Sequence, residues 1–112
     1  MKGSNLGELE ELILLAVGIL HPDAYGVAVM DELEKRAERS LNISAVHAVL
    51  TRLEEKGLLK SKMSDPTDER GGRRKRIFLL TATGKRALEE THELRTQLFN
   101  QIPRIALQFK PV

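Results

Sequence analysis

Residues 12–20, Leu-Ile-Leu-Leu-Ala-Val-Gly-Ile-Leu, form an apolar run that leaves no polar face for solvent. Leu9, Leu12, Ile13, Ala16, Val17 and Leu20 recur at helical spacing, and Leu14, Leu15 and Ile19 carry the apolar surface nearly all round. A helix of that kind is buried on more than one side. A chain of 112 residues holds one modest core and no second, so a second protomer is the natural second cover. The run is far shorter than the roughly 20 residues of a membrane span. Glu8, Glu10 and Glu11 precede it, where a secretion signal needs positive charge. It reads as a buried helix, opened by a capping box with Asn5 as N-cap and Glu8 reaching back, and stopped by Pro22.

The rest of the chain divides on the same grounds. Asp23 is the expected cap of a second helix from about Tyr25, with Gly26, Val29, Met30, Leu33 and Ala37 as its inner stripe. Ser40–Ile43 alternates and is expected as a very short strand. Ser44 then caps a third helix that turns Val46, Val49, Leu50 and Leu53 inward and ends at Lys56-Gly57. It leaves Ser44, Ala45, His47, Ala48, Thr51 and Arg52 on or beside the outer face. Residues 58–64 and 73–80 read as two strands around a turn region rich in Pro, Gly and Asp (residues 65–72), giving a hairpin with a basic-edged tip. Thr81 or Thr83 caps a last helix with the stripe Ala87, Thr91, Leu94, Leu98, Ile102, Ile105 and Phe109. That stripe extends beyond a domain this small and calls for a partner helix. Pro103 is expected to end or kink it.

Charge is distributed unevenly. Residues 1–51 carry 4 basic and 8 acidic side chains, residues 52–80 carry 9 and 5, and residues 81–112 carry 5 and 3. The surplus gathers at Arg70, Arg73, Arg74, Lys75 and Arg76, which suggests a polyanion at one surface, although a charge run alone is more often a solvated loop. The chain has no cysteine, which excludes disulfides, zinc–thiolate sites and a cysteine nucleophile and is compatible with a reducing cytoplasm.

The order helix, helix, short strand, helix, strand, basic loop, strand, helix predicts a mainly α fold with a small β-hairpin: a winged helix-turn-helix followed by a C-terminal dimerisation helix. The expected division is 1–80 for the DNA-binding domain and 81–112 for the dimerisation helix and tail. Small and polar side chains on the outside of the third helix suit entry into a major groove. The hairpin places Arg70, Arg73, Arg74 and Lys75 where a phosphate or minor groove lies. The expected dimer contacts are Leu12, Leu15 and Ile19 of the first helix with Leu94, Leu98 and Ile102 of the last.

The segment Ser44-Ala45-Val46-His47-Ala48-Val49-Leu50-Thr51-Arg52-Leu53-Glu54-Glu55-Lys56-Gly57-Leu58-Leu59 resembles the recognition helix and following strand of the PadR family of transcriptional regulators. Gly71-Gly72-Arg73-Arg74-Lys75-Arg76-Ile77-Phe78-Leu79-Leu80-Thr81, followed by Gly84, resembles that family's wing and its exit, and Tyr25-Gly26 the start of its second helix. The resemblance covers roughly residues 6–102. It implies a dimer joined through the first and last helices, binding a palindrome-like operator, usually as a repressor, in the short branch with a single C-terminal helix. Two departures stand out: His47 replaces the tyrosine common beside the DNA backbone, and there is no tryptophan. Some relatives capture planar drugs between aromatic side chains at the dimer centre, and the obvious equipment for such an inducer is lacking here.

Other readings are weaker. His21 and His92 fit a loop and a solvated helix face, and Glu89, Glu90, His92 and Glu93 fit an exposed face better than a metal cluster. No strained nucleophile turn or glycine-rich phosphate loop accompanies the Ser, His and Asp residues, so neither catalysis nor a cofactor is expected. The alternative to a DNA-binding regulator is a winged-helix adaptor that meets another protein through the same helix and wing. Such a surface more often carries exposed aromatics or large aliphatics.

Overall fold

The structure is a computed structural model, and it describes residues 6–65 and 74–104. Four helices and one hairpin follow in the order α1 (Glu8–Leu20), α2 (Gly26–Ala37), α3 (Ile43–Glu55), β1 (Leu59–Met63), β2 (Arg76–Leu80) and α4 (Ala82–Gln101). The fold is mainly helical, as expected.

Local chemistry sets each boundary, in several places one or two residues from where the sequence pointed. Helix α1 starts at Glu8 with Gly7 as N-cap, and the carboxylate that reaches back is Glu10, whose Oε1 accepts from Gly7 N–H at 2.9 Å. Glu8 is the first helical residue and so stands too early to close the box; Asn5 lies outside the described residues. Asp23 does not cap α2. Its N–H instead closes a turn onto the Leu20 carbonyl at 2.8 Å, and Tyr25 is the N-cap without a side-chain bond. The segment before α3 forms no strand: Leu41 N–H donates to the Glu34 carboxylate, and Asn42, not Ser44, is the cap, its Oδ1 accepting from Ser44 N–H at 2.7 Å and Ala45 N–H at 3.3 Å. The short extended partner comes from elsewhere, because Ala24 bridges Phe78 on the edge of the hairpin.

Helix α3 ends as expected at Gly57, which takes φ 79° and lets Leu58 N–H reach the Leu53 carbonyl. Strands β1 and β2 are antiparallel, with Leu59 opposite Leu80, Ser61 opposite Phe78 and Met63 opposite Arg76. Ile77 and Phe78 are both buried, so β2 is covered on both faces. Thr81 caps α4: its Oγ1 accepts from Gly84 N–H at 2.9 Å and donates to the Gly57 carbonyl at 2.7 Å. That hydroxyl ties the end of α3 to the start of α4.

One core joins these elements. Ile13, Leu14 and Val17 of α1 meet Val29 of α2, Val46, Leu50 and Leu53 of α3, Leu59 of β1 and Phe78 of β2. Helix α4 belongs to it only at its start. Gly84, Ala87 and Thr91 are buried, and every residue from His92 to Arg104 is exposed. The helix ends at Gln101, just before Pro103; Ile105 and Phe109 of the expected stripe lie outside the described residues. The radius of gyration is 17.2 Å, against about 13 Å for a compact chain of this length.

Candidate nucleic-acid interface

The faces of α3 separate cleanly. Val46, Val49, Leu50 and Leu53 are buried, whereas Ser44, Ala45, His47, Ala48, Thr51 and Arg52 are all exposed. At 100° per residue, Ser44, Ala48 and Thr51 occupy the middle of the outward face, with His47 on one flank and Ala45 and Arg52 on the other. The central side chains are short, so a groove wall can approach the helix backbone closely.

Three contacts fix what surrounds this face. The imidazole of His47 rests on Gly26 at the first turn of α2, so that a β-carbon there would stand 2.5 Å from Cε1. Lys75, just before β2, places its ammonium 4.0 Å from the centre of the Tyr25 ring, a cation–π contact that docks the base of the wing on the start of α2. On the flank, Arg52 Nε donates to Glu10 Oε2 at 3.1 Å, and Lys56 Nζ donates to the same oxygen at 2.8 Å. Burial raises the Glu10 carboxyl, but the hydrogen bonds from Lys56, the Gly7 amide and Arg52 outweigh it and hold the pKa at about 2.

Of the four hairpin cations expected at a phosphate, Arg74 and Lys75 are exposed, and Arg70 and Arg73 lie outside the described residues. Arg76, Lys60 and Lys62 add exposed charge along the hairpin. His21 and His92 are exposed, as expected. Among the described residues no three His, Asp or Glu side chains gather to hold a metal ion, and Glu93 accepts from its helical neighbour Gln97. No helix among them is long and apolar enough to cross a membrane.

A second surface lies apart from α3. Leu15 and Ile19 of α1 are 43% and 55% exposed, and Leu94, Leu98 and Ile102 of α4 are 48%, 60% and 40% exposed. Leu12 is placed differently: it is half-buried and packs against the protomer's own core. Phe99 of α4 is also 59% exposed. Arg95 of α4 donates to Glu11 of α1 at 3.0 Å, so the two helices are tied within one protomer.

Sequence reasoning missed Glu10, Phe99 and the Tyr25–Lys75 pair. Glu10 had a legible signal, for it shares the helical face of Ile13, Leu14 and Val17, and a carboxylate on a buried face requires a partner. The Tyr25–Lys75 contact joins residues far apart in sequence and carried no such mark.

The family model of the PadR-like transcriptional regulators matches residues 14–90, from the middle of α1 through the first half of α4. The chain belongs to the PadR-like family of transcriptional regulators. Its fold is the PadR winged helix. A PadR family regulator from Clostridium difficile R20291 is 30% identical, with a TM-score of 0.64 over 85% of this chain and 97% of that one. A PadR-like transcription factor from Bacteroides fragilis is 24% identical, with a TM-score of 0.70 over 87% and 88%. A PadR-like regulator from Bacillus cereus reaches a TM-score of 0.71 at 17% identity, over 90% and 93%. No curated protein matches the chain in sequence.

Proposed function

We propose that this PadR-like regulator is a homodimer that binds a palindrome-like DNA operator in the cytoplasm and represses transcription from it. Residues 1–80 act as the DNA-binding domain, and residues 81–112 supply the dimerisation helix and tail. The observation that carries this reading is the outward face of α3, where Ser44, His47, Ala48 and Thr51 are exposed together and no large apolar side chain stands among them. A helix enters a major groove when its outer residues are short and able to donate or accept at base edges. A protein-docking face needs the opposite, large apolar anchors at its centre.

The division of labour follows from position. Ser44, Ala45, His47, Ala48 and Thr51 read the groove, and Arg52 contacts the backbone beside it. Arg73, Arg74, Lys75 and Arg70 of the hairpin clamp phosphate without reading sequence. The exposed apolar side chains Leu15, Ile19, Leu94, Leu98 and Ile102 are too many for a lone protomer in water and favour a second copy as their cover. Leu12 supports that contact from below. No metal, cofactor or inducer enters this reading.

Enrichment and sequencing of genomic fragments bound by the purified protein tests the reading. The expected result is an inverted repeat whose half-sites lie about one helical turn apart or a multiple of it. Recovery of fragments with no shared sequence would exclude operator recognition.

A further inference from the structure

Arg52 is held before any ligand arrives, and the way it is held leaves it open. Glu10 is buried on α1, its side chain only 8% exposed. Its Oε1 is occupied by Gly7 N–H, and its Oε2 receives both Arg52 Nε and Lys56 Nζ. A guanidinium carries five N–H donors in a fixed planar fork. Only the one on Nε is used here; among the described residues the two terminal nitrogens of Arg52 have no hydrogen-bond partner, and half of the side chain faces solvent. Arg52 also sits on the flank of the outward face of α3, where a phosphate chain runs alongside a helix seated in a groove.

We propose that Glu10 is a positioning residue for DNA binding: gripping Arg52 by Nε, it presents the outer edge of the guanidinium to a backbone phosphate beside α3. This rests on the DNA-binding reading above. A long side chain ordered in advance does not lose its freedom on binding, and that freedom corresponds to roughly 3- to 10-fold in affinity per site. The same pair joins α1, which carries part of the exposed apolar surface, to the recognition helix, so a displacement of α1 reaches the phosphate contact through one side chain.

Charge alone predicts the opposite sign, which separates the two effects by experiment. Removing a carboxylate near a polyanion should strengthen binding by charge alone, whereas losing the grip on Arg52 should weaken it. Glu10→Gln, Arg52→Ala and the double variant are compared with wild type by fluorescence anisotropy on a random-sequence duplex over a range of salt. All are held at a temperature where circular dichroism shows each variant folded. Glu10→Gln is expected to weaken a dimer by about 10- to 100-fold, the square of the per-site effect, and to flatten the salt dependence in the direction of Arg52→Ala. Its effect should vanish in the Arg52→Ala background. If Glu10→Gln strengthens binding, leaves the salt slope unchanged, or costs as much without Arg52 as with it, the positioning role is wrong while DNA binding stands. Failure of the wild type to bind any duplex would overturn the DNA-binding reading and this one with it.

Discussion

The imidazole of His47 lies on the backbone of Gly26, with Cε1 only 2.5 Å and Nε2 only 2.8 Å from where a β-carbon at residue 26 would stand. Helix α3 and the first turn of α2 thus meet through a ring and a missing side chain. Gly26→Ala should push the ring aside without disturbing the fold, because His47 is exposed and can swing out. Although Gly26 is buried, the atoms in the way belong to that movable ring, so stability should fall by no more than about 1 kcal/mol, while operator affinity should fall as His47 leaves its seat. Thermal melting and operator titration of the same variant check both halves. A large loss of stability would mean that the ring is locked in place.

Gly84 gives the contrasting case. A β-carbon there would lie 2.1 Å from the Leu58 carbonyl oxygen, and backbone cannot swing away as a side chain can. Gly84→Ala should therefore force α4 off the start of β1 and cost on the order of 2 kcal/mol or more, an overpacking effect. Urea denaturation should show a lower midpoint. An unchanged midpoint would show that this junction yields easily.

The four helices and the hairpin were legible in the sequence because each carries its own period and its own breaker, whereas the short strand expected at Ser40–Ile43 does not form. The outward face of α3 was legible for the same reason, since the inward set Val46, Val49, Leu50 and Leu53 fixes the helix and leaves the rest outside. What escaped were choices between neighbouring polar groups. Asn42 and Ser44 can each cap a helix, and the half-buried Ile43 between them favours the earlier start. Asp23 and Tyr25 compete in the same way, and pairing of Ala24 with Phe78 pulls that segment into extended form before α2 can begin. Contacts between distant residues, such as Lys75 on Tyr25, have no local signature at all.

The Glu10 cluster sets a pH dependence of stability. The carboxyl titrates near 4.5 when unfolded and at about 2 when folded, so its contribution is fully present above 4.5 and is lost as the pH falls toward 2. With Arg52 and Lys56 both half-exposed to screening solvent, the contribution at neutral pH is about 2–3 kcal/mol. Glu10→Gln should melt well below wild type at pH 7, and the gap should close between pH 4.5 and 2. A gap independent of pH would show that the loss comes from packing instead of charge.

The apolar surface of α1 and α4 should be covered by a second protomer. Leu98, at its centre, is 60% exposed. Leu98→Glu should place an unpaired carboxylate in the interface and weaken the dimer by several kcal/mol, roughly 3–5 for a buried charge without a partner. Sedimentation should find a dimer for wild type at micromolar concentration and a monomer for the variant. A monomeric wild type would contradict the interface.

The central claim is that α3 reads sequence while the hairpin clamps phosphate, and a salt series on two variants and two DNAs tests it most directly. If the dimer neutralises about 6–10 phosphates, wild-type affinity should fall by roughly 10³–10⁵ between 50 and 200 mM salt. Arg74→Ala should weaken binding to operator and random duplex by similar factors. It should also flatten the salt slope by about 0.9 for each phosphate no longer neutralised, twice per dimer. Thr51→Phe, at the middle of the outward face, should abolish the preference for operator and leave weak binding to random DNA largely intact. If Thr51→Phe kept the preference and Arg74→Ala removed it, the roles of helix and wing would be reversed and the account contradicted.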